Sequence, residues 1–99
     1  MKLFKVNEYI DKLKKYDQII ECINCEEFLE REIACLTYNS QNVKKDTMFV
    51  CKGFLDNFKE EYLKDALNKG AFIYVSQKKY NVNIPCILVK DAFFSLCIL

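Results

Sequence analysis

Two places in this chain carry side chains whose type and spacing could do chemistry. The first is the run TYNSQNVKKDTMFVCKG, from Thr37 to Gly53. Asn39, Ser40 and Gln41 make a polar break after an apolar run, Lys44 and Lys45 a basic turn, and Lys52 and Gly53 close the next apolar run. Small α/β domains build ligand edges this way, with polar side chains and irregular backbone at the strand ends and apolar strands behind them. The second place is Cys22-Ile-Asn-Cys25, with CxxC spacing. A structural zinc site needs about four ligands, and neither a second close cysteine pair nor a histidine is available. A redox CxxC usually opens a helix after a strand. The flanks of this one do not show that clearly, so it reads as two thiols in a strand or turn.

The totals narrow the chemistry further. Ninety-nine residues, 52% of them apolar, suit one domain with one core, so residues 1–99 are read as a single unit. Fifteen basic residues against 14 acidic ones leave a net charge of +1, which argues against a broad nucleic-acid surface. The absence of histidine removes the commonest neutral-pH acid–base group and the commonest metal ligand. Six cysteines could suggest a disulfide framework. Five of them sit among apolar neighbours, where a free thiol behaves as a small hydrophobe. The opening MKLFKVNEYI has no long apolar run of a secretory kind. A reducing, cytoplasmic setting is the expectation. No apolar stretch approaches the roughly 18 residues that span a bilayer.

Hydrophobic spacing predicts the elements that must position these residues. Val6, Tyr9, Ile10 and Leu13 mark one helix face, with Asn7 as its expected cap and Asp17 closing it. Residues 19–25 form a short mixed strand and residues 26–31 a charged turn. Residues 33–38 read as a strand covered on both faces, because polar alternation is missing. Asn39 to Asn42 ends it, and residues 47–51 form the next strand. Residues 52–57 are a loop around Gly53. Phe58, Tyr62, Leu63, Ala66 and Leu67 then stripe a helix that Glu60 and Lys64 support as an i,i+4 pair and Gly70 ends. Residues 71–75 and 86–89 are strands separated by a polar loop, and Asp91 opens a last helix. The strand–helix–strand run over 47–76 implies a right-handed βαβ crossover. The predicted fold is α/β, with a mixed or parallel sheet of about four to five strands flanked by helices. The apolar ending, from Phe93 to Leu99, suggests a chain cut within or just after a helix.

The same residues carry a family resemblance. Thr37-Tyr-Asn-Ser40-Gln41 is followed by Lys44-Lys45-Asp46 and then by Met48-Phe49-Val50-Cys51-Lys52-Gly53. Tyr62-Leu63, Ala66, Gly70-Ala71 and Val89-Lys-Asp91 follow in order. Over residues 33–89 this resembles the N-terminal domain of Mur ligases, most nearly the MurE type (UDP-N-acetylmuramoyl-peptide synthetases). Asn39 stands where that pattern has Asp, Gln41 where it has Arg, and Asp46 where it has the turn Gly. Asp56-Asn57-Phe58 replaces its Asp-Gly. Exchanging Arg for Gln removes a fixed charge and a bidentate fork.

The resemblance implies an ATP-dependent amide ligase that adds an amino acid to a UDP-N-acetylmuramoyl-peptide in peptidoglycan synthesis. In that family the first domain holds the UDP end, the second binds ATP and magnesium, and the third helps to bind the amino acid. This chain would be the first domain. Its partners would be the UDP-linked peptide and the ATP-binding domain, with neither nucleic acid nor membrane involved. It has two glycines, and neither precedes a Lys-Ser or Lys-Thr, so the phosphate-cradling loop and catalysis would lie elsewhere.

By the resemblance, the residues at the UDP end are Tyr38, Asn39 and Ser40 on the first polar break and Lys52, Gly53, Phe54 and Asn57 on the following loop. Ser40 could hydrogen-bond a uracil or a diphosphate oxygen, and Tyr38 could offer its ring to the uracil. The second loop could turn backbone N–H groups and a helix start toward the diphosphate. The plain alternatives are a turn-capping serine, an edge tyrosine and a strand-to-helix connector. Two rival functions remain in view: a stand-alone interaction module docking through residues 93–99, and a thiol redox protein using Cys22 and Cys25.

Overall fold

The computed structural model describes residues 3–51 and 60–99, with Phe93 described by its backbone alone. The first helix, α1 (Val6–Lys15), buries Val6, Ile10 and Leu13, three of the four residues of the expected stripe. Its cap is not Asn7. The N-cap is Lys5, whose N–H donates to Glu8 Oε1 at 3.1 Å. Asn7 sits inside the first turn and donates from Nδ2 to Glu30 Oε1 at 3.1 Å. The other end closes at Asp17, as expected. Asp17 adopts φ 57°, its N–H donates to Lys14 O at 3.0 Å, and the N–H of Gln18 donates to Leu13 O at 3.0 Å. This is the paired helix-ending pattern usually built on glycine, and aspartate is among the few other residues that tolerate its left-handed turn.

Five strands form the main sheet: β2 (Ile19–Ile23), β4 (Cys35–Thr37), β5 (Thr47–Val50), β6 (Ala71–Ser76) and β7 (Cys86–Val89). Their order is β2-β7-β6-β5-β4. The strands from β4 to β7 run parallel, and β2 pairs antiparallel with β7. A separate two-stranded ribbon joins β1 (Phe4–Lys5) to β3 (Glu32–Ile33). The mixed five-stranded sheet is the one expected, and helix α2 (Glu60–Lys69) links parallel neighbours β5 and β6 as a βαβ unit should.

Alternation along the central strands divides the core into two layers. Met48, Val50, Ile73, Val75, Ile87 and Val89 pack with α1 and with Ala92 of α3 (Ala92–Ile98). Phe49, Tyr74 and Cys86 pack against Leu63 and Ala66 of α2. All four residues of β5 and all six of β6 are buried, which is why these runs lack polar alternation.

Residues 33–38 depart from that rule. They do not form one doubly covered strand. Ile33 belongs to β3, the N–H of Ala34 donates to Asp46 O at 2.9 Å, and a short β4 follows at the sheet edge. Cys35 and Leu36 are half-buried and Tyr38 is exposed. An edge strand has one neighbour, so an apolar run there is only partly covered.

The end of α2 is fixed sterically. Gly70 has φ +123°, and a Cβ placed on it would lie 2.7 Å from Lys44 O and from Lys45 N and Cα. No side chain fits there, so the basic turn can lie directly against the helix end. Among the described residues, the i,i+4 ion pair on α2 is Lys69–Asp65 at 3.0 Å, rather than the expected Glu60–Lys64. Helix α3 starts as expected at Asp91, whose Oδ1 accepts the N–H of Phe94 at 3.0 Å. The last apolar run is largely folded in: Ala92 and Ser95 are buried and Leu96 is half-buried, whereas Phe94 remains exposed. All six cysteines are free thiols. Among the described residues, no helix is long and apolar enough to cross a membrane.

Candidate functional site

The parallel strands deliver Tyr38, Cys51, Gln77 and Lys90 at their carboxyl ends. In open α/β sheets this is where ligands bind. On the β6–β7 side the end is already occupied. Gln77 Oε1 accepts the N–H of Ala92 at 3.0 Å, and Gln18 Oε1 accepts the N–H of Asp91 at 3.1 Å. Lys90 pairs with Asp17 at 2.8 Å. On the β4 side the surface opens into a groove of about 320 Å³, lined by Tyr38, Asn39, Ser40, Gln41 and Tyr62.

The wall of this groove is a self-built turn. Buried Thr37 accepts the N–H of Asn39 on Oγ1 at 3.1 Å. Asn39 Oδ1 accepts the N–H of Gln41 at 2.9 Å and caps a 3₁₀ turn, Ser40–Asn42. The Asn39 side chain therefore spends its oxygen on the turn, which leaves Nδ2 as its donor toward a ligand. An aspartate could accept the same N–H, so asparagine keeps the capping function without the charge. Ser40 is half-buried, and its carbonyl accepts from Lys69 Nζ at 3.1 Å. Its hydroxyl makes no hydrogen bond with another described residue. Tyr38 is 52% exposed and Tyr62 45% exposed, so two amphipathic rings border the groove.

Of the sequence candidates, Tyr38, Asn39 and Ser40 thus share one groove. Lys52, Gly53, Phe54 and Asn57 lie outside the described residues. The chain enters that segment from the carboxyl end of β5, where the N–H of Cys51 donates to Val75 O at 2.8 Å. Cys51 is buried, and burial pushes its thiol up, so it stays neutral. Lys44 and Lys45 form the exposed turn against Gly70, as their solvated reading required. Sequence reasoning missed Tyr62 as a groove residue. Its helical spacing placed it in the apolar stripe, while Leu63 and Ala66 fill the core instead. The signal for Tyr62 was the phenol itself, a ring suited to a half-exposed margin.

A larger groove, about 840 Å³, lies at the opposite end of the sheet. Asn24, Phe28, Phe72, Asn81, Asn83 and Pro85 are among its lining residues. The Arg31 guanidinium lies 4.0 Å from the centre of the Phe72 ring and reaches Asp46 Oδ1 at 2.6 Å. This groove sits where β6 and β7 begin, away from the carboxyl ends. Among the described residues, no group of three or more cysteine, aspartate or glutamate side chains is placed to hold a metal ion.

No protein-family model matches the chain. A UDP-N-acetylmuramoyl-L-alanyl-D-glutamate--L-lysine ligase of Enterococcus faecalis is 41% identical over 71 residues, covering 71% of this chain and 14% of the relative. The enzyme of the same name from Streptococcus pyogenes serotype M3 is 32% identical over 97 residues, covering 90% of this chain and 19% of the relative. The chain therefore spans less than a fifth of these relatives. Among solved structures, the UDP-N-acetylmuramoylalanyl-D-glutamyl-2,6-diaminopimelate--D-alanyl-D-alanyl ligase of Acinetobacter baumannii superposes with a TM-score of 0.74 at 13% identity. That match covers 100% of this chain and 21% of the other. A MurF crystal structure from the same organism gives a TM-score of 0.73 at 12% identity, over 99% of this chain and 20% of the other. The homologues are Mur ligases, and the fold is that of a Mur ligase N-terminal domain.

Proposed function

Starting from a chain whose homologues are Mur ligases, we propose that it is the N-terminal domain of a cytoplasmic, MurE-type ligase and holds the UDP end of a UDP-N-acetylmuramoyl-peptide. The observation that carries this reading is the groove at the carboxyl end of β4, bordered by Tyr38, Ser40 and Tyr62. A uracil is a flat, polar-edged ring. Tyrosine faces suit its plane, with base–aromatic stacking worth about 1–3 kcal/mol per base. Ser40 can donate to or accept from a carbonyl or imide edge. The diphosphate would extend toward the carboxyl end of the neighbouring strand β5.

The relatives matched add L-lysine, by their names. ATP and magnesium would be held by a second domain of the parent enzyme, since neither glycine of this sequence starts a Gly-Lys-Thr loop. This chain's share of the work is to bind and orient the nucleotide end. A lysine-adding parent would form its amide bond on other domains.

The test is titration of isotope-labelled protein with UDP, read as amide shifts. Shifts centred on residues 38–41 and Tyr62 support the reading. Shifts centred on Asn24, Phe28 and residues 81–85 would reject it.

A further inference from the structure

The CxxC pair is folded in a way that its sequence did not show. In an extended strand, residues three apart face opposite sides and stand about 10 Å apart. Here β2 ends at Ile23, and Asn24 takes φ 58°, a left-handed turn rare for a residue other than glycine. Cys25 follows in a right-handed helical conformation (φ −88°, ψ −11°) ahead of a 3₁₀ turn, Glu26–Phe28. The reversal turns the chain back between the two cysteines, and half-buried Cys22 packs against the core cluster that contains Cys25. Cys22 is half-buried and Cys25 is 1% exposed. The Cys25 thiol also lies 3.5 Å from Ile23 O and 3.6 Å from Cys86 O. The pair thus sits between a strand end and a short helix, the setting in which redox CxxC pairs occur.

We propose that Cys22 and Cys25 form an oxidisable dithiol that closes to an intramolecular disulfide when a hydroperoxide-class oxidant reaches Cys22. Cys22 is the attacking sulfur because it is the more accessible of the two. Interaction with Cys25 holds its thiol below the ordinary value, with Lys14 adding to the effect against the opposing cost of burial. The same interaction, with burial, pushes the Cys25 thiol up, so Cys25 keeps the proton. In the first step the Cys22 thiolate attacks the peroxide. An S–O bond forms, the O–O bond breaks, and the departing oxygen takes a proton to leave as water or alcohol. Cys22 is then a sulfenic acid. In the second step Cys25 loses its proton and attacks that sulfur. The S–S bond forms, the S–O bond breaks, and hydroxide leaves as water. Two electrons pass from the two thiols to the peroxide. Buried Cys86, whose thiol burial pushes up, stays reduced. The inference rests on thiol geometry alone and is independent of the nucleotide reading.

The test uses the reduced full chain, exposed to hydrogen peroxide, alkylated and mapped by mass spectrometry. The expected product has lost the mass of two hydrogens and yields a peptide linking Cys22 to Cys25. The C22S variant should lose this product. Dimedone should label Cys22 in the C25S variant. Thiols 22 and 25 that both remain alkylable while exposed Cys97 oxidises would overturn the proposal, as would a disulfide joining other cysteines. Should C25S fail to fold, the wild-type map decides by itself.

Discussion

The ammonium group of Lys69 donates to the carbonyl oxygen of Ser40 at 3.1 Å, tying the last turn of α2 to the wall of the candidate groove. The same ammonium pairs with Asp65 at 3.0 Å. The next residue, Gly70, lets the backbone at Lys44 and Lys45 approach within side-chain distance. Two successive residues of α2 and its cap therefore hold both halves of the segment between β4 and β5. The groove's position follows from how this connection packs on the helix, and not from β4 alone.

Gly70→Ala should be among the most damaging small substitutions. It adds a Cβ against backbone at 2.7 Å and forces alanine to φ +123°. A loss of about 2–4 kcal/mol in chemical denaturation is expected. The amides of residues 43–46 should shift even where the variant stays folded.

Asn39→Asp and Asn39→Ala should separate charge from capping. Asn39 Oδ1 accepts the N–H of Gln41 at 2.9 Å, and a carboxylate oxygen can do the same. Asp should leave the thermal midpoint nearly unchanged, whereas Ala should lose about 1 kcal/mol with its cap. Equal losses from both would show that the Asn39 side chain does not build this turn.

Leu63→Ala empties a fully buried site beneath α2. The expected cost is about 2–5 kcal/mol by urea unfolding. Tyr62→Ala, one residue earlier but 45% exposed, should cost far less stability while weakening uridine binding.

How far the sequence could be read depended on what each residue's neighbours do. The buried face of α1 was legible because Val6, Ile10 and Leu13 repeat at helical spacing and all three reach the core. Its start was not, because the cap uses the backbone of Lys5 and the side chain of Glu8, while Asn7 binds Glu30, distant in sequence. The runs in β5 and β6 were legible as strands, and residues 33–38, equally apolar, read as a strand covered on both faces. Their place at the sheet edge, which no local pattern encodes, left Leu36 half-buried and Tyr38 exposed. Within the site, the polar break at Asn39–Gln41 marked the groove wall. Tyr62 joined it only through the packing of α2 on the sheet, and the chain reversal between Cys22 and Cys25 needed the left-handed Asn24.

The most direct test of the central claim is a UDP titration of the wild-type chain beside Ser40→Ala, followed by amide chemical shifts. Saturable shifts at Tyr38, Asn39, Gln41 and Tyr62 are expected. Ser40→Ala should fold with stability within about 0.5 kcal/mol of wild type and bind UDP about three- to tenfold more weakly, the worth of one hydrogen bond. Unchanged affinity in Ser40→Ala, together with shifts confined to the large groove around Asn24 and Phe28, would contradict it.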